Sequence, residues 1–214
     1  MATYSNHLVL LFHGVAAFGY DLDPLAKVLR RALPGAEVIA PDAPFACVPG
    51  PGRQWYDLDG VTPENRPGRI VAARDACDGV VDGLIAQHGF ADRLDRVALV
   101  GFSQGATTVF DGLASGRWRV GAVVLLSGRF VKPSPFAPAK QTPVLLVHGA
   151  EDGAVPPEED GKAEGWLAEA GIGVERHLLP GVGHEITPKT ARLVARFLRE
   201  APPALHIAHL TPSP

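Results

Sequence analysis

Apolar runs of strand length recur along the chain at His7 to Phe12, Ala36 to Ala40, Arg96 into Val97-Ala98-Leu99-Val100, Ala122 to Leu126, Val144 to Val147 and Val174 to Leu179. Most are apolar at successive positions, as strands covered on both faces require. The segments between them carry apolar residues three and four apart: Leu22, Leu25, Val28, Leu29 and Ala32; Ile70, Ala73, Cys77, Val80 and Leu84; Ala106, Phe110 and Leu113; Ala163, Trp166, Leu167 and Ala170; Leu193, Val194, Phe197 and Leu198. These are helices with one inward face. Asp23 followed by Pro24, and Thr187 followed by Pro188, supply an N-cap and a first helical residue. A long helix is predicted from Arg69 to about His88 in spite of Gly79 and Gly83. Strands alternating with helices predict an α/β fold, with a mostly parallel central sheet and helices on both faces. Two stretches break the alternation, Pro41 to Gly68 and Ser127 to Pro143, both rich in proline. Long unpatterned loops in compact domains are usually functional. There is no internal repeat, and from Ala201 to Pro214 the pattern fades into an irregular tail.

One junction has chemical content. The run Val97 to Val100 leads into Gly101-Phe102-Ser103-Gln104-Gly105, and helical spacing resumes at Ala106. A serine at the apex of such a strand-turn-helix sits in strained backbone with its hydroxyl pushed out of the sheet. Residues two before and two after it would collide with strand and helix unless they were very small. The glycines therefore answer a steric requirement of a nucleophile elbow.

A serine hydroxyl is a poor nucleophile at neutral pH and needs a base, which in turn needs a carboxylate to fix its tautomer. In a parallel sheet, ligands bind where the loops at the carboxyl ends of the strands meet. His184 lies in such a loop, bordered by glycine and followed by a helix. Of the other histidines, His7 opens a strand, His88 ends a helix, His177 lies within a strand, and His206 and His209 are in the tail. His13 and His148 each precede a glycine at a strand end and are read as shaping those turns. Asp152, just past the strand Val144 to Val147, is the expected carboxylate, with Glu151 in reserve. The chain order serine, aspartate, histidine is that of α/β-hydrolases. A rival arrangement of His13 with Asp42, upstream of the serine, belongs to an all-strand fold that this pattern lacks. An oxyanion needs preorganised donors. The N–H of Gln104 at the start of the elbow helix is one, and that of Val15, after Gly14, is the second. The Gln104 side chain needs no task of its own.

Composition narrows the setting. With 214 residues and 46% hydrophobic content, residues 1–214 are expected to form a single domain around one substantial core. The net charge of -3 is spread without basic runs, so neither nucleic acid nor an anionic membrane is an expected partner. The amino-terminal segment has no basic flank or cleavage site and its apolar run is only strand length, so neither export nor a membrane span is expected. Cys47 and Cys77 allow at most one bridge, and Cys77, on an apolar helix face, reads as a buried free thiol. A cytoplasmic location fits. No HExxH motif or cysteine set calls for a metal, and no cofactor is expected.

The segments LLFHG, APDAPF, RQWYD, GFSQGA, LLSG, VLLVHGAEDGAVP and GVGHEI span almost the whole chain in order. Together they resemble the phospholipase/carboxylesterase family of α/β-hydrolases, which includes the acyl-protein thioesterases. The resemblance implies an α/β-hydrolase fold, Ser103, Asp152 and His184 as the triad, Val15 and Gln104 as oxyanion donors, and Trp55 with its neighbours as a wall of the acyl pocket. Tyr56 and Phe45 share the Trp55 loop and Phe130 lies in the other long loop, so these are the expected substrate-binding residues. Two departures stand out. The chain begins directly in its first central strand, so a sheet reduced at the amino terminus is expected. The loop after His13-Gly14 is Val-Ala-Ala-Phe-Gly, more apolar than is usual there. The expected activity is hydrolysis of small-molecule carboxylic esters with short to medium acyl chains through an acyl-enzyme. An acyl-protein or lysophospholipid (thio)esterase is the alternative. A non-catalytic ligand-binding module on the same fold is a third reading, which labelling by a fluorophosphonate would distinguish.

Overall fold

A computed structural model describes residues 6–48 and 50–201. Beyond Ala201, the tail read as irregular lies outside the described residues. The chain runs β1 (His7–Phe12), a short turn of 3₁₀ helix, α1 (Asp23–Ala32), β2 (Ala36–Ile39), a hairpin of β3 (Phe45–Ala46) and β4 (Arg53–Gln54), α2 (Arg66–Ala72), α3 (Arg74–Gln87) and β5 (Val97–Phe102). It continues through α4 (Gln104–Ala114), β6 (Ala122–Leu126), β7 (Val144–Gly149), α5 (Glu158–Glu169), β8 (Val174–Leu179) and α6 (Pro188–Glu200). The main sheet has the order β2-β1-β5-β6-β7-β8, with every neighbouring pair parallel.

The apolar runs of the strands divide cleanly by alternation. Leu8, Leu10 and Phe12 face one layer with Leu99, Val123, Leu125 and Leu146, against Cys77, Val81, Ile85, Phe110 and Leu167 of the helices. Val9 and Leu11 face the other with Ala98, Val100, Val124 and Val147, against Leu25, Leu29, Val194 and Phe197. A period of two sends successive side chains to opposite faces, and two covered faces make both sets apolar. At the edge, β8 carries Glu175 and Arg176, charged residues that discourage further strand pairing.

All eleven residues of α4 are buried. Its one carboxylate, Asp111, accepts from Arg74 Nε at 2.9 Å and from Arg117 Nη2 at 2.8 Å, as a charge removed from water requires. The helix expected from Arg69 to His88 is two. At Ala73 the backbone N–H reaches Ile70 O at 3.2 Å, a tighter turn that rotates the inward face. Beyond it, Val81 and Ile85 are buried, and Val80 and Leu84 only partly so. The helix predicted from Asp23 starts there, but the 3₁₀ turn Gly19–Leu22 precedes it and its N-cap is Leu22. Thr187 caps α6 as expected, its hydroxyl accepting from Thr190 N.

Candidate active site

Ser103 sits between β5 and α4 at φ 54° and ψ −116°, a conformation that costs a non-glycine residue of order 1–3 kcal/mol and persists only where its surroundings impose it. Those surroundings explain both glycines. A Cβ on Gly101 would stand 2.5 Å from Ala106 N, and one on Gly105 would stand 2.3 Å from Phe12 O. Backbone lies in the way in both cases, so neither position accepts a side chain without moving a strand or a helix.

The Ser103 hydroxyl lies 2.9 Å from His184 Nε2, and His184 Nδ1 lies 2.7 Å from Asp152 Oδ2. A carboxylate only accepts, so Nδ1 carries the proton and Nε2 is left to receive the serine's. Asp152 has a fully buried side chain. Its Oδ1 accepts from Ala154 N at 2.9 Å and Val155 N at 2.8 Å. Burial pushes its carboxyl up, but the Val155 N–H, the His184 ring and the Ala154 N–H together outweigh that and hold it below the usual carboxylate range. The Phe102 ring packs on the imidazole at 4.9 Å. Close approach of the two loops depends on Gly149, whose Cβ would stand 2.3 Å from Val182 O. Glu151 is turned elsewhere, its Oε1 accepting from Gly181 N at 3.1 Å, so it braces the His184 loop from outside.

The first residue of α4 is Gln104, whose N–H is among those a helix leaves without an intrahelical partner. Its side chain has a task that the sequence left open. Oε1 accepts from Trp55 N at 2.8 Å and Nε2 donates to Tyr56 O at 2.7 Å. Facing it, the loop after β1 is pinned on both sides. Ala16, at φ 60°, donates to Arg53 O at 3.0 Å, and Arg53 N donates to Ala17 O at 2.9 Å. His13 commits both ring nitrogens to backbone: Nδ1 donates to Gly14 O at 2.6 Å and Nε2 accepts from Ala43 N at 3.0 Å. Burial leads the effects that lower its pKa, which suits a neutral ring that must accept. Asp42 is engaged with Gly19 N at 2.8 Å. The rival His13 and Asp42 arrangement is therefore not assembled.

A cavity of about 540 Å³ opens beside Ser103, His184 and Val15, and runs between α1 and α6 along Leu25, Val28 and Ile186. Its size lies in the range of small-molecule sites. None of the aromatic residues expected in the pocket wall lines it. Trp55 and Tyr56 are buried in the core, where the indole N–H donates to His13 O at 2.9 Å and the ring packs on Phe12 at 4.6 Å. Phe130 is buried against Phe110, with ring centroids 4.9 Å apart. Phe45 is exposed on β3. The physical reason is shared by the first three. Their loops fold back against the sheet, and aromatic rings with a partner for every polar atom serve the core as well as a pocket. Leu25 and Val28, which the apolar spacing places on the inward face of a helix, line this cavity as well. The available signal was that α1 and α6 start from the loops carrying His13 and His184, so their first turns open on the same edge.

Among the described residues no group of three or more His, Cys, Asp or Glu is placed to hold a metal ion, and no helix is long and apolar enough to cross a membrane.

A family model described as phospholipase/carboxylesterase matches residues 2–201. Esterase YpfH of Escherichia coli (strain K12) is 27% identical over 195 residues, 91% of this chain and 83% of that one. Acyl-protein thioesterase 1 homolog 1 of Dictyostelium discoideum is 24% identical over 212 residues, 94% and 93% of the two chains. Among solved structures, that of esterase PE8 is similar with a TM-score of 0.82 and 32% identity, covering 92% of this chain and 94% of the other.

Proposed function

The chain belongs to the phospholipase/carboxylesterase family, and from that premise we propose that it is a serine hydrolase of carboxylic esters with short to medium acyl chains. The observation that carries the reading is the relay Ser103 Oγ, His184 Nε2, His184 Nδ1, Asp152 Oδ2, with links of 2.9 and 2.7 Å. Ser103 attacks the ester carbonyl while His184 takes its proton. The N–H groups of Gln104 and Val15 receive the oxyanion, and His184 then returns the proton to the leaving alcohol. Water repeats the sequence on the acyl-enzyme. Substrates are small neutral esters, and the reducing cytoplasm proposed as the setting agrees with both cysteines being free.

The apolar arm of the ester occupies the cleft between α1 and α6. Each methylene buried there is worth roughly 0.8 kcal/mol, about fourfold in kcat/KM, until the wall is reached. The test is a series of p-nitrophenyl esters of rising acyl length on the wild type and on Val28→Trp, which narrows the cleft. We expect a wild-type optimum at short to medium chains and an optimum moved to shorter chains in the variant. Identical profiles would remove the cleft from substrate binding. A second reading, an acyl-protein or lysophospholipid thioesterase, draws on the likeness to the Dictyostelium protein. An optimum at long-chain acyl thioesters in the same series would favour it.

A further inference from the structure

His148, at the end of β7, is buried, and every atom its ring nitrogens face is an acceptor. Nδ1 lies 2.8 Å from Asp160 Oδ1, at the start of α5, and Nε2 lies 3.0 Å from Val155 O. The same Nε2 lies 3.2 Å from Asp152 Oδ2, the oxygen that also accepts from His184. A carbonyl and an ionised carboxylate leave Nε2 no choice but to carry hydrogen. The second proton lies between Nδ1 and Asp160, whose buried Oδ2 has no hydrogen-bond partner among the described residues. On the carboxyl that proton would leave one carboxylate, Asp152, and no cation in the pocket. On the ring it places an imidazolium between two carboxylates.

We propose that His148, held as an imidazolium by Asp160, is a positioning residue that meets the same Asp152 oxygen as His184 and extends the working range of the triad to lower pH. The proposal rests on the serine-hydrolase reading of the site. Burial by itself lowers the pKa of His148, but the Asp160 carboxylate, the Val155 carbonyl and the charge of Asp152 reverse that and raise it. The Asp160 carboxyl is raised as well: burial leads and Glu159 on α5 adds to it, while the His148 ring and Arg176 on β8 pull against it without cancelling the rise, so the two partners compete for the shared proton. Arg176 is paired with Glu164 and Glu159 with Lys162, so both are largely compensated. A cation one carboxylate removed from His184 opposes proton uptake by that ring. Loss of that cation should therefore show in the acid limb of the pH profile.

The experiment is the pH profile of kcat/KM on a p-nitrophenyl ester for the wild type, Asp160→Asn and His148→Gln. Asparagine keeps the shape of Asp160 but carries no charge, so it removes the anion that holds the second proton on His148. Glutamine removes the ring charge outright. The acid limb of both variants should move to higher pH by roughly half a unit or more, with KM changed by less than about twofold. Acid limbs superimposable on the wild type, in folded variants, would overturn the proposal. Should the variants fail to fold, nitrogen NMR of the wild-type histidines at neutral pH decides: both nitrogens of His148 protonated supports it, and a neutral ring overturns it. A wild type that turns over no ester would instead refute the underlying reading, which separates the two failures.

Discussion

Asp152 and Glu151 are adjacent carboxylates with different surroundings. Asp152 is buried and receives two backbone N–H groups besides His184, whereas Glu151 is exposed and accepts from Gly181 N. Asp152→Asn offers His184 an amide that can present N–H where an acceptor is needed, so kcat should fall by about 10⁴. Glu151→Gln can still accept from Gly181 and should cost less than about tenfold. Steady-state kinetics of the two variants checks this, and a crippling effect of the glutamate change would mean that the carboxylate is misassigned. The pKa of Asp152 is depressed in the folded chain, so its ionised form adds stability above the usual carboxylate pKa. That contribution is lost as the pH falls through the lower, folded value.

Strand, elbow and helix form the most constrained element in the molecule. Gly105 faces backbone of β1, with Phe12 O at 2.3 Å and Phe12 C at 2.6 Å from a would-be Cβ. Gly79, in the middle of α3, has nothing within 4 Å. Alanine should therefore act with opposite sign at the two sites. Gly105→Ala should destabilise by roughly 1–3 kcal/mol as strand or helix shifts, and disturb Ser103 with it. Gly79→Ala should stabilise by somewhat less than about 1 kcal/mol, the helix-propensity difference. Urea unfolding of both variants gives the answer. The elbow was readable in the sequence because its geometry leaves few residue choices. Trp55 is harder to place from sequence, because an aromatic residue in a long loop fits a pocket wall and a core equally; in the structure it is buried with its N–H on His13 O. The helix break at Ala73 was hidden for a similar reason, since apolar spacings of three and four describe a continuous face and a rotated one alike.

Across the whole molecule, the strand order could be inferred only as mostly parallel, because periodicity says which faces are covered and not which strands are neighbours. The order β2-β1-β5-β6-β7-β8 puts Ser103, Asp152 and His184, which are scattered in sequence, at one edge. Their convergence was readable because each sits in a loop after a strand, and such loops share an edge of a parallel sheet. The cleft proposed to take the substrate was not, because it forms between α1 and α6, which are distant in sequence and meet only after folding. The central claim is that this edge activates one serine. The most direct measurement is the mass of the protein after reaction with a fluorophosphonate, followed by mapping of the modified peptide. A single adduct on Ser103 is predicted, absent from Ser103→Ala, which should keep its urea midpoint and lose about 10⁴-fold or more in turnover. An adduct on another residue, or labelling of Ser103→Ala at the wild-type rate, would contradict the account.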